Sequence, residues 1–190
     1  MLKIRSLGIP EVLEVCPRRF PDDRGFFSEV WSSRALAEQG VALDFVQDNH
    51  SLSAEAGVLR GLHYQRPPFA QAKLVRVARG AIFDVAVDIR HGSPTFGKWV
   101  SLIISADAWN QILVPEGFAH GFLTLEPNTE VLYKVSASYS REHERSLRWD
   151  DPALGVEWPL EGRDPILSDK DRLAPALADA PPVFHYRPGA

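Results

Sequence analysis

A chain of 190 residues is long enough for one domain with a substantial core. Its 45% hydrophobic and 24% charged residues exclude a disordered, collagen-like or membrane-spanning chain. A formal net charge of −4 provides no global field to draw nucleic acid or an acidic membrane, so any anion site has to be local.

Short β-branched and aromatic runs, punctuated by 13 glycines and 15 prolines, set an all-β rhythm. In chain order, strands are expected over Leu2–Ile4 and Val12–Cys16, then a helix over Ser33–Gln39 with Ser32 or Ser33 as N-cap and Gly40 past its end. Further strands follow at Phe45–Leu52, Val58–Tyr64, Trp99–Ile104, Gln111–Val114, Gly121–Leu125 and Glu130–Val135. Between them KLVRVARGAIFDVAVDI, from Lys73 to Ile89, reads as two strands joined at Arg79-Gly80 as a two-residue hairpin loop. That pairing sets Val75 opposite Asp84 and puts Lys73 on the same face as Asp84, one diagonal step away.

Many antiparallel strands with few short helices imply a jelly-roll sandwich or barrel. Beyond about residue 150 the chain turns Pro-rich and loses periodicity. The expectation is one domain over residues 1–190 whose C-terminal tail, about 150–190, wraps over the barrel. The single cysteine, Cys16, excludes an intrachain disulfide and a cysteine zinc site, and suits a reducing compartment. The N-terminal MLKIRSLGIPEV places Pro10 and Glu11 where a signal peptide needs apolar residues, and no run approaches a membrane span. A soluble cytoplasmic protein is expected.

Two histidines stand in patterned surroundings. Gly57 is followed after five residues by His63, and Pro115-Glu-Gly117-Phe-Ala carries His120. Both patterns resemble the motifs of cupin jelly rolls, which place their histidines inside the barrel mouth. Metal-binding cupins continue His-x-His, with a Glu a few residues on. Here Gln65 takes the second His position and Pro67, Pro68 and Phe69 the Glu region, so two imidazoles fall short of a catalytic metal's usual ligand set and no metal is expected.

FVQDNHSLSAEAGVLRGLHYQ from Phe45 and KLVRVARGAIFDVAVDIRHGSPTFGKW from Lys73 resemble the dTDP-4-dehydrorhamnose 3,5-epimerase family. So do FPDDRGFFSEVW, VPEGFAHGF, EVLYK, REHE, RWDDPALGVEWP and LSDKD, over roughly residues 12 to 173. The resemblance implies a homodimeric cupin-like jelly roll that inverts C3 and C5 of a dTDP-4-keto-6-deoxy sugar without cofactor. A C4 ketone acidifies both neighbouring carbons, so the chemistry needs a base, an oxyanion stabiliser and an acid across the ring.

The resemblance assigns those roles. His63 is the base: its ordinary pKa of about 6.5 leaves much of it neutral at pH 7. Asp171 of the Lys170-Asp171 pair is its partner, with Asp169 the alternative carboxylate two residues away. Lys73 steadies the enolate oxygen, supported by Asp84, and Tyr133, with a pKa of about 10, donates from the opposite face. Arg24 and Arg60 match the diphosphate contacts. Glu29, Gln47, Asp48 and Asn49 match nucleotide-recognition positions, Phe27 and Tyr139 could stack on the base, and His120, Glu144 and Lys170 complete the set. Ser138-Tyr139 supplies one aromatic where many members carry two. Strict alternation puts Arg60 and His63 on opposite faces, so they share a site only if Gly61 allows a bulge or a neighbouring chain contributes. The rival readings are a monofunctional 3- or 5-epimerase, a metal-dependent cupin oxygenase and a non-catalytic sugar-nucleotide binder.

Overall fold

The computed structural model describes residues 2–187. Its strands are β1 (Lys3–Ser6), β2 (Leu13–Cys16), β3 (Phe20–Asp22), β4 (Gly25–Phe27), β5 (Gln47–Ser53), β6 (Leu59–Gln65), β7 (Lys73–Arg79), β8 (Ala81–Asp88), β9 (Arg90–His91), β10 (Trp99–Ser105), β11 (Gln111–Val114), β12 (Phe118–Thr124), β13 (Thr129–Val135), β14 (Glu144–Ser146) and β15 (Phe184–His185). Helix α1 (Ser33–Ala37) lies between β4 and β5, and α2 (Asp169–Arg172) precedes β15. Ser32 is the N-cap of α1, its hydroxyl accepting from Ala35 N–H. The helix is two residues shorter than the sequence suggests because the chain already turns before Gly40, whose φ is +84°.

Two antiparallel sheets face one another. One has the order β1-β2-β11-β7-β13-β5 and the other β10-β8-β12-β6-β14, which is the expected jelly roll. Between them Val75, Val77, Ile112 and Val131 meet Ile82, Ile104, Phe118 and Phe122. Each outer face is also covered. Leu36 of α1 with Trp31, Leu43 and Phe45 packs on Val15, Leu74 and Leu113. Val156, Trp158, Leu177 and Phe184 of the C-terminal segment pack on Leu62, Val85, Val87 and Ala119. Residues 188–190 of the expected tail lie outside the described residues.

The hairpin expected at Arg79-Gly80 is not one. Strand β7 pairs with β11 and β13, while β8 pairs with β10 and β12, so Gly80 turns the chain from one sheet into the other. Gly80 does take positive φ, +78°, and a Cβ there would lie 2.4 Å from the Thr129 hydroxyl. Pairing of Val75 with Asp84 is thereby replaced. Val75 lies beside Ile112 and Tyr133, and Asp84 beside Leu102 and Phe122. Lys73 and Asp84 still interact, facing one another from the two layers rather than along a hairpin diagonal.

Strand β6 holds the one irregularity that the site requires. His63 pairs with His120 but Arg60 with Phe122, so β6 carries an extra residue over this stretch. Gly61 absorbs it at φ +125°, with room for no side chain: an added Cβ would lie 2.5 Å from Gly121 Cα and 2.8 Å from His120 O. The bulge turns Arg60 and His63 to the same side. Gly61→Ala is therefore expected to cost about 2–3 kcal/mol in chemical denaturation. A loss below about 0.5 kcal/mol would show that the close approach is not rigid.

Candidate active site

Inward-facing polar residues of both sheets gather at one end of the sandwich. Two adjoining chambers open there, about 430 Å³ and 290 Å³ in volume. His63, Lys73, Tyr133 and Glu144 line both and form the waist between them. Arg60, His120, Lys170 and Asp171 line the larger chamber, and Gln47, Asn49 and Tyr139 the smaller.

His63 Nε2 lies 2.5 Å from Asp171 Oδ1. Asp171 is 3% exposed and is held by Ser168, the N-cap of α2, whose hydroxyl donates to Oδ2 at 2.8 Å. With Nε2–H directed at the carboxylate, Nδ1 keeps its lone pair and is the basic nitrogen. Burial pushes the His63 pKa below its ordinary value against the opposing pull of Asp171, so the imidazole is neutral at pH 7. Burial alone would raise the Asp171 carboxyl, but its hydrogen bonds from His63 and Ser168 and the attraction of His63 outweigh it and the pKa is lowered. Asp169 begins α2 on the exposed side, so Asp171 is the partner.

Lys73 is 9% exposed and its Nζ donates to the His63 carbonyl at 3.3 Å. Burial lowers its pKa to about 8, opposed by the charges of Asp84 and Glu144. Asp84 is wholly buried, and its two oxygens each lie 2.9 Å from His120 Nε2. Burial raises its pKa, countered by His120 and Lys73. The expected Lys73 and Asp84 neighbours are thus linked by charge, while the direct hydrogen bond of Asp84 goes to His120. The Tyr133 pKa is raised by burial, so its phenol stays protonated.

Glu144 binds Lys170 Nζ at 2.6 Å and accepts from the Tyr139 hydroxyl at 3.1 Å. Arg60 is held by Ser53 and the Leu52 carbonyl, both at 3.3 Å. Four residues matched from sequence lie outside both chambers. Arg24 projects from the β3–β4 turn and pairs with Asp22 at 2.6 Å, and Phe27 is 65% exposed on β4. Glu29 lines a separate cavity of about 90 Å³ beside Trp31, and Asp48, between the inward Gln47 and Asn49, pairs with Lys134 at 2.8 Å.

Sequence reasoning did not mark Ser168, Gln65 or Gln71 as site residues. Ser168 was detectable as the Ser three residues before Asp171 in LSDKD, an N-cap pattern. Gln65 shares the strand parity of His63, whereas Gln71 sits in a stretch without periodicity. Among the described residues no group of three or more His, Cys, Asp or Glu is placed to hold a metal ion. Gln65, at the position of the cupin ligand, directs its amide nitrogen to the carbonyls of Phe69 and Ser138.

A family model described as dTDP-4-dehydrorhamnose 3,5-epimerase matches residues 6–179. The chain is 53% identical over 182 residues to a Sinorhizobium fredii dTDP-4-dehydrorhamnose 3,5-epimerase, covering 96% of this chain and 93% of that protein. It is similar to the crystal structure of the Bacillus anthracis enzyme of the same description with TDP and pyrophosphate bound. There the TM-score is 0.89 at 50% identity, over 93% of this chain and 99% of that one. A Legionella pneumophila dTDP-6-deoxy-D-glucose-3,5-epimerase in complex with dTDP-4-keto-L-rhamnose superposes with a TM-score of 0.94 at 43% identity, over 98% of this chain and 100% of that one.

The dyad geometry has a consequence for titration. Asp171 holds the His63 pKa up against burial, so Asp171→Asn lowers it further. Histidine resonances followed by NMR against pH will show this; an unchanged pKa in the variant would place the imidazole apart from the carboxylate.

Proposed function

The chain belongs to the dTDP-4-dehydrorhamnose 3,5-epimerase family, and on that premise we propose how its residues invert C3 and C5 of dTDP-4-keto-6-deoxy-D-glucose to produce dTDP-4-keto-L-rhamnose. The enzyme is an isomerase acting on a nucleotide sugar. The observation that carries the assignment of roles is the waist. There a neutral, carboxylate-bound imidazole, a buried ammonium and a protonated phenol face one space.

His63 Nδ1 takes the proton from the carbon next to the ketone, and the C–H electron pair moves into the new C=C bond as the carbonyl becomes an enolate oxygen. Lys73 supplies the positive charge that oxygen needs, in a site dry enough to strengthen the attraction. Asp84, held by His120, balances the buried ammonium. Tyr133 gives its proton to the carbon from the face opposite His63, and solvent restores both groups. The same cycle at the other flanking carbon inverts it, with no net oxidation or reduction.

The larger chamber suits the sugar, with Arg60 beside it for the diphosphate. The smaller one has the amides of Gln47 and Asn49 for the polar edge of a pyrimidine and Tyr139 for its face. Arg24, Phe27 and Glu29 are proposed to act on the site of a second protomer. The exposure of Phe20, Phe26 and Phe27 at 43%, 50% and 65% supports a homodimer in which this hairpin is covered. Asp48 is proposed to support the nucleotide end through Lys134. A cytoplasmic location accords with the free thiol of Cys16; no helix of the described residues is long and apolar enough to cross a membrane.

Proton NMR of the keto sugar nucleotide in deuterium oxide is expected to show deuterium entering at both C3 and C5. Exchange at one carbon alone would make the enzyme monofunctional, and tight binding without exchange would make it a binder. His63→Asn should reduce exchange at both carbons by about 10²–10⁴-fold while leaving dTDP affinity within about threefold. Wild-type exchange in that variant would remove His63 from the mechanism. Tyr133→Phe should impair inversion more than exchange; equal loss of both would make Tyr133 structural.

The pH profile follows from the same groups. The base must be deprotonated, so kcat/KM rises through a pKa below 6.5. The ammonium must be protonated, so kcat/KM falls through about 8. An alkaline limb that persists unchanged in Lys73→Met would assign it to another group.

A further inference from the structure

We infer that three glutamines, Gln47, Gln65 and Gln71, form a cradle that grips residues 137–140 by the backbone and thereby sets where Tyr139 stands over the smaller chamber. The segment between β13 and β14 has no ladder partner of its own at these positions, and its polar groups need partners. Gln71 Nε2 donates to the Ala137 carbonyl at 2.7 Å, and Gln65 Nε2 to the Ser138 carbonyl at 3.1 Å. Gln47 Oε1 accepts from Tyr139 N–H at 3.0 Å, and Gln65 Oε1 from Ser140 N–H at 2.7 Å. Four consecutive residues are each held through one backbone group by a glutamine side chain.

Gln65 is the centre of the cradle. It is 3% exposed, and its amide nitrogen also donates to the Phe69 carbonyl at 2.7 Å, so both N–H groups and the oxygen are used. A carboxylate could not replace it, because two of its three partners are carbonyls. It binds the 66–69 segment to the 138–140 segment, and the Phe69 ring lies 4.7 Å from the His143 ring in the same wall. Tyr139 in turn reaches Glu144, and Glu144 reaches Lys170 beside Asp171. Gln65 is a positioning residue: it acts on substrate through Tyr139 and makes no part of the proton transfer. This rests on the proposed role of Tyr139 in binding the base.

The test uses the full-length enzyme with Gln65→Leu, Tyr139→Ala and the double variant, each assayed for steady-state epimerisation of dTDP-4-keto-6-deoxyglucose. Gln65→Leu is expected to raise KM about tenfold with kcat within about threefold. The double variant should be no worse than the worse single one, since both act at one point. A fall in kcat at unchanged KM, or KM effects that multiply in the double variant, overturns the proposal. If Gln65→Leu fails to fold, Gln71→Leu, which removes one bond, should raise KM by about threefold with the same non-additivity; an unchanged KM there overturns it equally. Amide hydrogen exchange separates the two readings. Ser140 N–H, which Gln65 holds, should exchange faster in Gln65→Leu whether or not Tyr139 binds the base, and unchanged exchange overturns the cradle. Tyr139→Ala with unaltered KM would instead overturn the role given to Tyr139.

Discussion

Withdrawing ionisable groups from water inside a β-sandwich is the constraint on which the site depends. A charge placed between two sheets has lost its hydration and persists only with a partner. Every such group here has one: Asp171 has His63 and Ser168, and Asp84 has His120 and the field of Lys73. The same desolvation that makes these pairs necessary also sets the acid–base states. It pushes His63 toward the neutral form and brings Lys73 down to about 8, so a neutral imidazole and an ammonium line the same chambers at neutral pH.

The sandwich meets this demand by dividing the work between layers. The six-stranded sheet contributes Lys73 and Tyr133, and the five-stranded sheet His63, Asp84 and His120. The imidazole of His63 and the phenol of Tyr133 therefore stand on different sheets. The C-terminal segment has two effects at once. Its apolar residues cover the outer face of the five-stranded sheet, and α2 delivers Asp171 to the far side of His63. Burial of that outer face thus anchors the carboxylate that His63 binds.

The register shift of β6 falls at the site itself. The β6 bulge, made by the approach of Gly61 to Gly121, is what lets Arg60 and His63 serve one chamber. The wall bearing Tyr139 has no ladder and relies on neutral amides. Amides present donor and acceptor together and do not titrate, so this wall keeps its hydrogen bonds over the pH range in which His63 and Lys73 change charge.

Much of this was legible in the chain itself. Period-two alternation located most strands to within a few residues, the family motifs brought His63, Lys73, Tyr133 and Asp171 together on paper, and Gly61 was recognisable as the place for a bulge. Alternation states which residues share a face, a local property of the pleated backbone. It is silent on which strands become neighbours. The Lys73–Ile89 stretch looked like a hairpin because its loop chemistry was right, yet both of its strands are central in different sheets. Each gains two partners that way and buries both faces. The placement of Arg24, Phe27 and Glu29 beyond the chambers, and the glutamine grip on residues 137–140, likewise follow from contacts between distant segments. Residue chemistry and strand faces were determined by sequence; strand partners, burial and therefore the charge states of the site were decided only when the two sheets closed on each other, because desolvation is a property of the packed whole.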